Sequence, residues 1–178
     1  MLDRKLLPNV NTAILHHWLV SIRGGEKVLE QIGDLFPTSD LYTLLFKKGI
    51  QSNILLGRKT FTSFLSVIPF SDRLYQNLMP FMPYAIEQFN FSNYQLLISS
   101  DVCVMKGALK QPETCHICYC HTPTRYAWNL YHEYKASISP FKRLIMEAFM
   151  THFRLWYFSA AQRVDYFIAD SKNVQQRI

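Results

Sequence analysis

Within HICYCHTPTRY, residues 116–126, four side chains able to do chemistry fall in six positions: His116, Cys118, Cys120 and His121. Imidazole and thiolate are zinc ligands; a lone imidazole at a strand end is instead a positioning group or a general base. The apolar run CHICYC predicts a strand over 115–120. Its alternation turns Cys115, Ile117, Tyr119 and His121 one way and His116, Cys118 and Cys120 the other. Same-face neighbours then lie roughly 6.8 Å apart along the strand, while zinc takes ligands at roughly 2.0–2.3 Å. Two such neighbours reach one ion; three in a line do not. Cys103, His16, His17, His132 and His152 show no paired spacing that would complete a shell. No metal is therefore expected, and the cysteines are read as compact hydrophobes packed where helices approach a sheet. His121 differs, because it stands where the apolar run stops and TPTRY begins. In a parallel sheet that edge faces the ligand cleft.

A second candidate is SIRGGEK. Gly24 and Gly25 lie between an apolar run and a helical pattern. Glycines let backbone approach a ligand closely, and a helix N-terminus offers free N–H groups to a phosphate. The same pair also suits a plain tight turn, and both readings stand at this level.

Elements that would position these residues alternate along the chain. Strands are expected at 12–19, 40–46, 93–100, 115–120 and 164–171, and helices at 25–36, 71–79, 124–135 and 140–161. The fold class is therefore α/β, a Rossmann-like parallel sheet with helices on both faces. In the first helix Val28, Leu29, Ile32, Leu35 and Phe36 form the apolar face. Residues 54–89 are strongly apolar and aromatic, broken by Pro69, Pro80 and Pro83. About half of these side chains fit a core, and the rest fit a groove for a greasy ligand or a membrane surface. The 140–161 helix is apolar over a wide arc, which predicts deep burial or an interfacial helix, burial being preferred; on its narrow polar stripe Arg143 and Glu147 are spaced to pair.

The 178 residues suffice for one domain with its own core. Apolar residues make up 49% and charged ones 18%, which excludes a disordered chain. The formal charge of +6 suits an anionic partner. No basic stripe with interleaved aromatics emerges, so nucleic acid is not expected. The start, MLDRKLLPNVNTAILHHWL, has no continuous apolar leader core and no small-residue cleavage site. With four cysteines and no leader, a reducing, cytoplasmic compartment is expected, with peripheral contact at the inner face of a membrane.

Four segments together, GGEKVLEQIGDLFPTSDLYTL, YQLLISSDVCVMKGAL, HICYCHTPTRYAWNLY and AAQRVDYFIADSKNVQQRI, resemble the N-terminal half of GT-B fold glycosyltransferases of family 4, in the mannosyltransferase-like branch. The resemblance runs from Ile14 to Ile178, and CYCHTPTRY and GGEKVLE are its most specific pieces. It implies an acceptor-side Rossmann-like domain over residues 1–178, in an enzyme that moves a hexose from a nucleotide sugar such as GDP-mannose to a lipid-linked or polysaccharide-precursor glycan. It implies retention of anomeric configuration and no metal cofactor. By the same resemblance His121 lies against the donor sugar near the reacting carbon, and Gly24 and Gly25 form the loop near the donor diphosphate. Trp18, Arg23, Glu26, Ser99, Ser100, Lys106, Arg125 and Tyr126 are the accompanying cleft and acceptor candidates. The paired glutamates of the donor-binding half are not among these residues, so the 178 residues alone are expected not to transfer sugar.

The chain departs from the family pattern in places. SSDVCVMKG stands where relatives often read SSSHAVAKG, so Asp101 and Val102 replace two polar positions. Thr124 stands for a common Met, Asn129 for a common Asp, and Tyr157 for an Asp after the tryptophan. These changes are expected to bear on acceptor identity more than on fold. A different class, a stand-alone binding or regulatory module, shares the same expected fold. An oxidoreductase is disfavoured, because SIRGGEKVLE lacks the G-x-G-x-x-G fingerprint.

Overall fold

A computed structural model describes residues 10–178. Residues 1–9, where most of the leader search fell, lie outside the described residues. Strands β1 (Thr12–Leu19), β2 (Asp40–Phe46) and β5 (Cys115–Cys120) occupy their expected positions. Strand β4 (Leu96–Asp101) starts later than expected, because Ser92 and Asn93 close a turn whose Asn90 side chain accepts from the Ser92 N–H. Strand β6 is confined to Tyr166–Ala169. A sixth strand, β3 (Thr60–Thr62), was not anticipated; three residues inside an apolar stretch carry no readable alternation.

All six strands are parallel, in the order β3-β2-β1-β4-β5-β6. The chain winds outward from β1 through β2 and β3, then returns to the other side of β1 for β4, β5 and β6. The reversal falls between β1 and β4, and this is the doubly wound, Rossmann-like arrangement. At that reversal, connections leave the two strands in opposite directions and a crevice opens beyond their carboxyl ends.

Two apolar layers hold the sheet. On one face helix α1 (Gly24–Leu35) packs Leu29 against Ile14, Leu19, Leu41 and Ile54. Leu35 is not part of that face; it is 65% exposed. On the other face Ala13, Leu15, Leu44 and Leu97 meet Met82, Ala85 and Ile86 of α3 (Met82–Glu87) and Met150, Phe153 and Tyr157 of a long helix. Between these lie a one-turn helix α2 (Ser71–Leu74) and α4 (Tyr131–Ser137), each shorter than the expected 71–79 and 124–135. Long helix α5 (Pro140–Ala161) starts behind Ser139 with proline in its first turn, as helices tolerate, and α6 (Lys172–Gln175) ends the described chain.

Helix α5 corrects two expectations. Only Met150, Phe153, Tyr157 and Ala160, a stripe at three- and four-residue spacing, are buried. Phe141, Leu144, Leu155 and Phe158 are each about two-thirds exposed or more. Apolarity alone could not say how much of the arc would find a partner. Glu147 pairs with Lys135 rather than Arg143, whose guanidinium donates to the carbonyls of Ala136 and Ile138. Gly107 lets α5 come close: a Cβ there would sit 2.3 Å from the Trp156 ring. No helix among the described residues is long and apolar enough to cross a membrane.

Candidate active site

Strand alternation separates the side chains that are crowded in HICYCH. His116, Cys118 and Cys120 point into the interior, where Cys118 and Cys120 pack with Val174, Val164 and Phe167. Burial pushes the Cys118 thiol well up and the Cys120 thiol up to about 11, so both stay protonated and pack as apolar groups. His116 Nε2 lies 2.9 Å from Ser99 Oγ. Ser99, a cleft candidate from sequence, is therefore committed to the interior beneath the sheet edge.

Burial also holds His116 well down, at about 4 against an ordinary 6.5. The unfolded chain then binds a proton that the native state refuses between those two values. Stability should be complete above about pH 6.5 and fall as pH drops toward 4, by about 3 kcal/mol from this residue. Urea unfolding from pH 7 to pH 4.5 measures it. His116→Gln, which keeps a group for Ser99, should make the slope shallower and leave the share of His17 and His121; an unchanged slope removes His116 as a source.

His121 lies beyond the end of β5 and is half-buried at the rim. Its backbone N–H donates to the Asp101 carbonyl at 3.0 Å, and its Nε2 is 2.9 Å from Ser100 Oγ. A Cβ on Gly25 would lie 3.7 Å from that same Nε2. The glycine pair at the start of α1 and the imidazole after β5 thus face each other across the reversal between β1 and β4. Pairing between β1 and β4 ends at His16 with Ser100, while β1 runs on beside β2 to Leu19. The last residues of β1 therefore form one wall of the crevice.

Charge at this rim is arranged around one carboxylate. Glu26 is only 5% exposed. Its Oε2 accepts from the Arg23 backbone N–H at 2.8 Å, closing the first turn of α1, and its Oε1 is 3.5 Å from His16 Nε2. Burial alone would raise the Glu26 pKa, but the bonds from His16 and from backbone N–H groups outweigh it and keep the group ionised. Burial lowers the His121 pKa, and nearby His16 adds to the effect against Asp170, Asp101 and Glu26, which oppose it. His17 is lowered further, by burial first and then by His16 and His121. The rim thus presents a neutral His121 beside the free N–H groups of a helix, which suits a group that reads hydroxyls next to a phosphate.

No family model, no curated protein and no solved structure matches this chain. Its site therefore rests on geometry. Arg23, Gly24, Gly25, Glu26, Ser100 and His121 gather at one edge, and half-buried Trp18 adjoins them with its ring edge-on to His17 at 4.1 Å. Arg125 is exposed just beyond. Tyr126 turns its hydroxyl inward, 2.9 Å from Cys103 Sγ. Lys106 is 2% exposed and cannot line a cleft: its ammonium binds the Asp101 carboxylate and the Cys103 carbonyl and lies 3.9 Å from the Tyr157 ring centre.

The departures from the family pattern meet at that lysine. Asp101 and Tyr157 both touch Lys106; Thr124 N–H donates to Tyr157 Oη at 3.3 Å, and Thr124 Oγ1 donates to the Val102 carbonyl at 3.4 Å. Asp101, Thr124 and Tyr157 are buried. These three residues form one packed set beneath the rim. Asn129 is the exception, exposed and bonded to Arg177 at 3.1 Å.

Sequence reasoning set His16 and His17 aside for want of paired spacing. They are neighbours in a strand whose alternation would send them to opposite faces, and spacing rules look for separated pairs. At the strand end their rings nevertheless stand 4.2 Å apart, and both have ligand atoms within 4.8 Å of Glu26. His16 Nδ1 and His17 Nδ1 are buried with no hydrogen-bond partner among the described residues. Such orphaned groups cost roughly 1–3 kcal/mol each.

Proposed function

We propose that this domain is the acceptor-side half of a retaining GT-B fold glycosyltransferase of family 4. It serves transfer of a hexose, with mannose from GDP-mannose the first choice, to a lipid-linked or polysaccharide-precursor glycan. The observation that carries the reading is the meeting of neutral His121 with the glycine start of α1 at the sheet reversal. As the sugar leaves, charge develops on the nucleoside diphosphate. The N–H groups at Gly24 and Gly25 are oriented in advance toward that charge, and stabilise it without reorganisation. His121, held by Ser100, keeps the sugar hydroxyls in a reactive pose. Retention is implied by the resemblance alone.

Exposed apolar side chains support a greasy acceptor. Val67, Phe70, Leu74, Phe81 and Tyr84 between β3 and β4, and Phe141, Leu144 and Ile145 on α5, are all open to solvent. A groove of about 440 Å³ lined by Phe64, Tyr84, Gln88 and Phe89 lies among the first group, beside β3 and apart from His121. With a net charge of +6 these surfaces suit an anionic membrane carrying the acceptor.

The test is transfer of labelled sugar from a panel of nucleotide sugars to a polyprenyl-linked glycan, by a protein joining this domain to its donor-binding half. Mannose transfer dependent on both halves, with sedimentation of the protein on anionic vesicles, is expected. No transfer from any donor, with a glycan still bound by this domain, would replace the enzyme with a binding module.

A further inference from the structure

We propose that His16, His17 and Glu26 form a binding site for one divalent transition-metal ion, of the two-histidine, one-carboxylate kind. This goes beyond the sugar-transfer reading and needs only these three side chains. The ligand types are those that zinc and its first-row neighbours take, and three protein ligands leave a further position open.

Three observations converge. The ligand atoms already lie within 4.8 Å of one another. Around one ion, bonds of roughly 2.0–2.2 Å would bring them to roughly 3.3 Å, a closure that side-chain rotation supplies. Both histidines are buried, at 0% and 4% exposure, and each carries an Nδ1 with no partner among the described residues. Imidazole binds a metal through either ring nitrogen, so each ring has a nitrogen free to bind. Finally, Glu26 is aimed: Oε2 is fixed by the Arg23 N–H, and Oε1 points at His16. The Arg23 N–H on Oε2 is the outer-shell bond that orients a ligating carboxylate, leaving Oε1 for the ion.

The four free thiols are the competing ligands, and cobalt tells them apart. The 178-residue chain, stripped with a chelator, is titrated with Co²⁺ and followed by visible absorption. One equivalent should produce saturable d–d bands without the near-ultraviolet band of a thiolate, and zinc should displace it. His17→Gln and Glu26→Gln should each weaken binding at least tenfold. Glu26→Gln keeps an acceptor for the Arg23 N–H, so it reports on the ion with the helix start intact; circular dichroism checks the fold of both variants. Cys115→Ser should bind as the parent does. Absence of saturable binding, a thiolate band, or affinity indifferent to His17 and Glu26 would each overturn the site. None of these outcomes touches the transfer reading, which stands or falls on the donor panel.

Discussion

Lys106→Ala is expected to cost about 3–5 kcal/mol and to lower the melting temperature by roughly 10 °C. Asp101 is fully buried and accepts from the backbone N–H groups of Cys103 and Met105, both at 2.9 Å, as well as from Lys106. Burial works against both charges. The lysine nonetheless holds the Asp101 pKa below its ordinary value, and the carboxylate holds the Lys106 pKa above its own. Removing the ammonium leaves a carboxylate with no counter-charge where water cannot reach, and that uncompensated charge is the source of the loss. Asp101→Asn combined with Lys106→Met should recover most of it. The asparagine oxygen still accepts from the two N–H groups, and methionine fills the space beside Tyr157. Thermal and urea unfolding of the single and double variants measure this. A single variant as stable as the parent would show that the pair contributes little, and a double variant as weak as the single would show that shape rather than charge matters.

That buried pair also marks how far sequence could lead. β1, β2 and β5 were legible to the residue, because strands covered on both faces read as apolar runs with sharp ends. α5 was legible in extent, from the Ser139-Pro140 start onward, but not in burial. Its apolar arc is wider than the Met150–Ala160 stripe that the sheet can cover. The His121–Gly25 meeting was legible because both positions lie just beyond predicted strands, and a parallel sheet places all such ends on one edge. Lys106 was misplaced, since a lysine reads as exposed unless its partner is known, and Asp101 reached it only when the turn after β4 folded back. His16, His17 and Glu26 were invisible as a group. Their proximity comes from a strand end and a helix start packed side by side, which no spacing rule encodes.

His121→Ala and Gly25→Ala should both cut sugar transfer by about 10²-fold or more in the joined enzyme, for different reasons. The alanine at 121 removes the ring proposed to hold the sugar; losses of that order follow when a positioning group is deleted. At 25 the backbone needs no special φ, and an added Cβ meets only His121, at an ordinary contact distance of 3.7–3.8 Å. The fold should therefore accept Gly25→Ala, with melting within about 2 °C of the parent. What the methyl group takes is the space between the helix start and the imidazole, the place assigned to the diphosphate and the reacting carbon. Gly24→Ala is the control, because a Cβ there meets nothing within 4 Å. Its effect should be confined to whatever a ligand itself occupies, so it should raise KM for the nucleotide sugar with kcat little changed. The decisive pattern is a stable Gly25→Ala protein that has lost kcat. Wild-type turnover in both Gly25→Ala and His121→Ala would move the chemistry away from the reversal between β1 and β4.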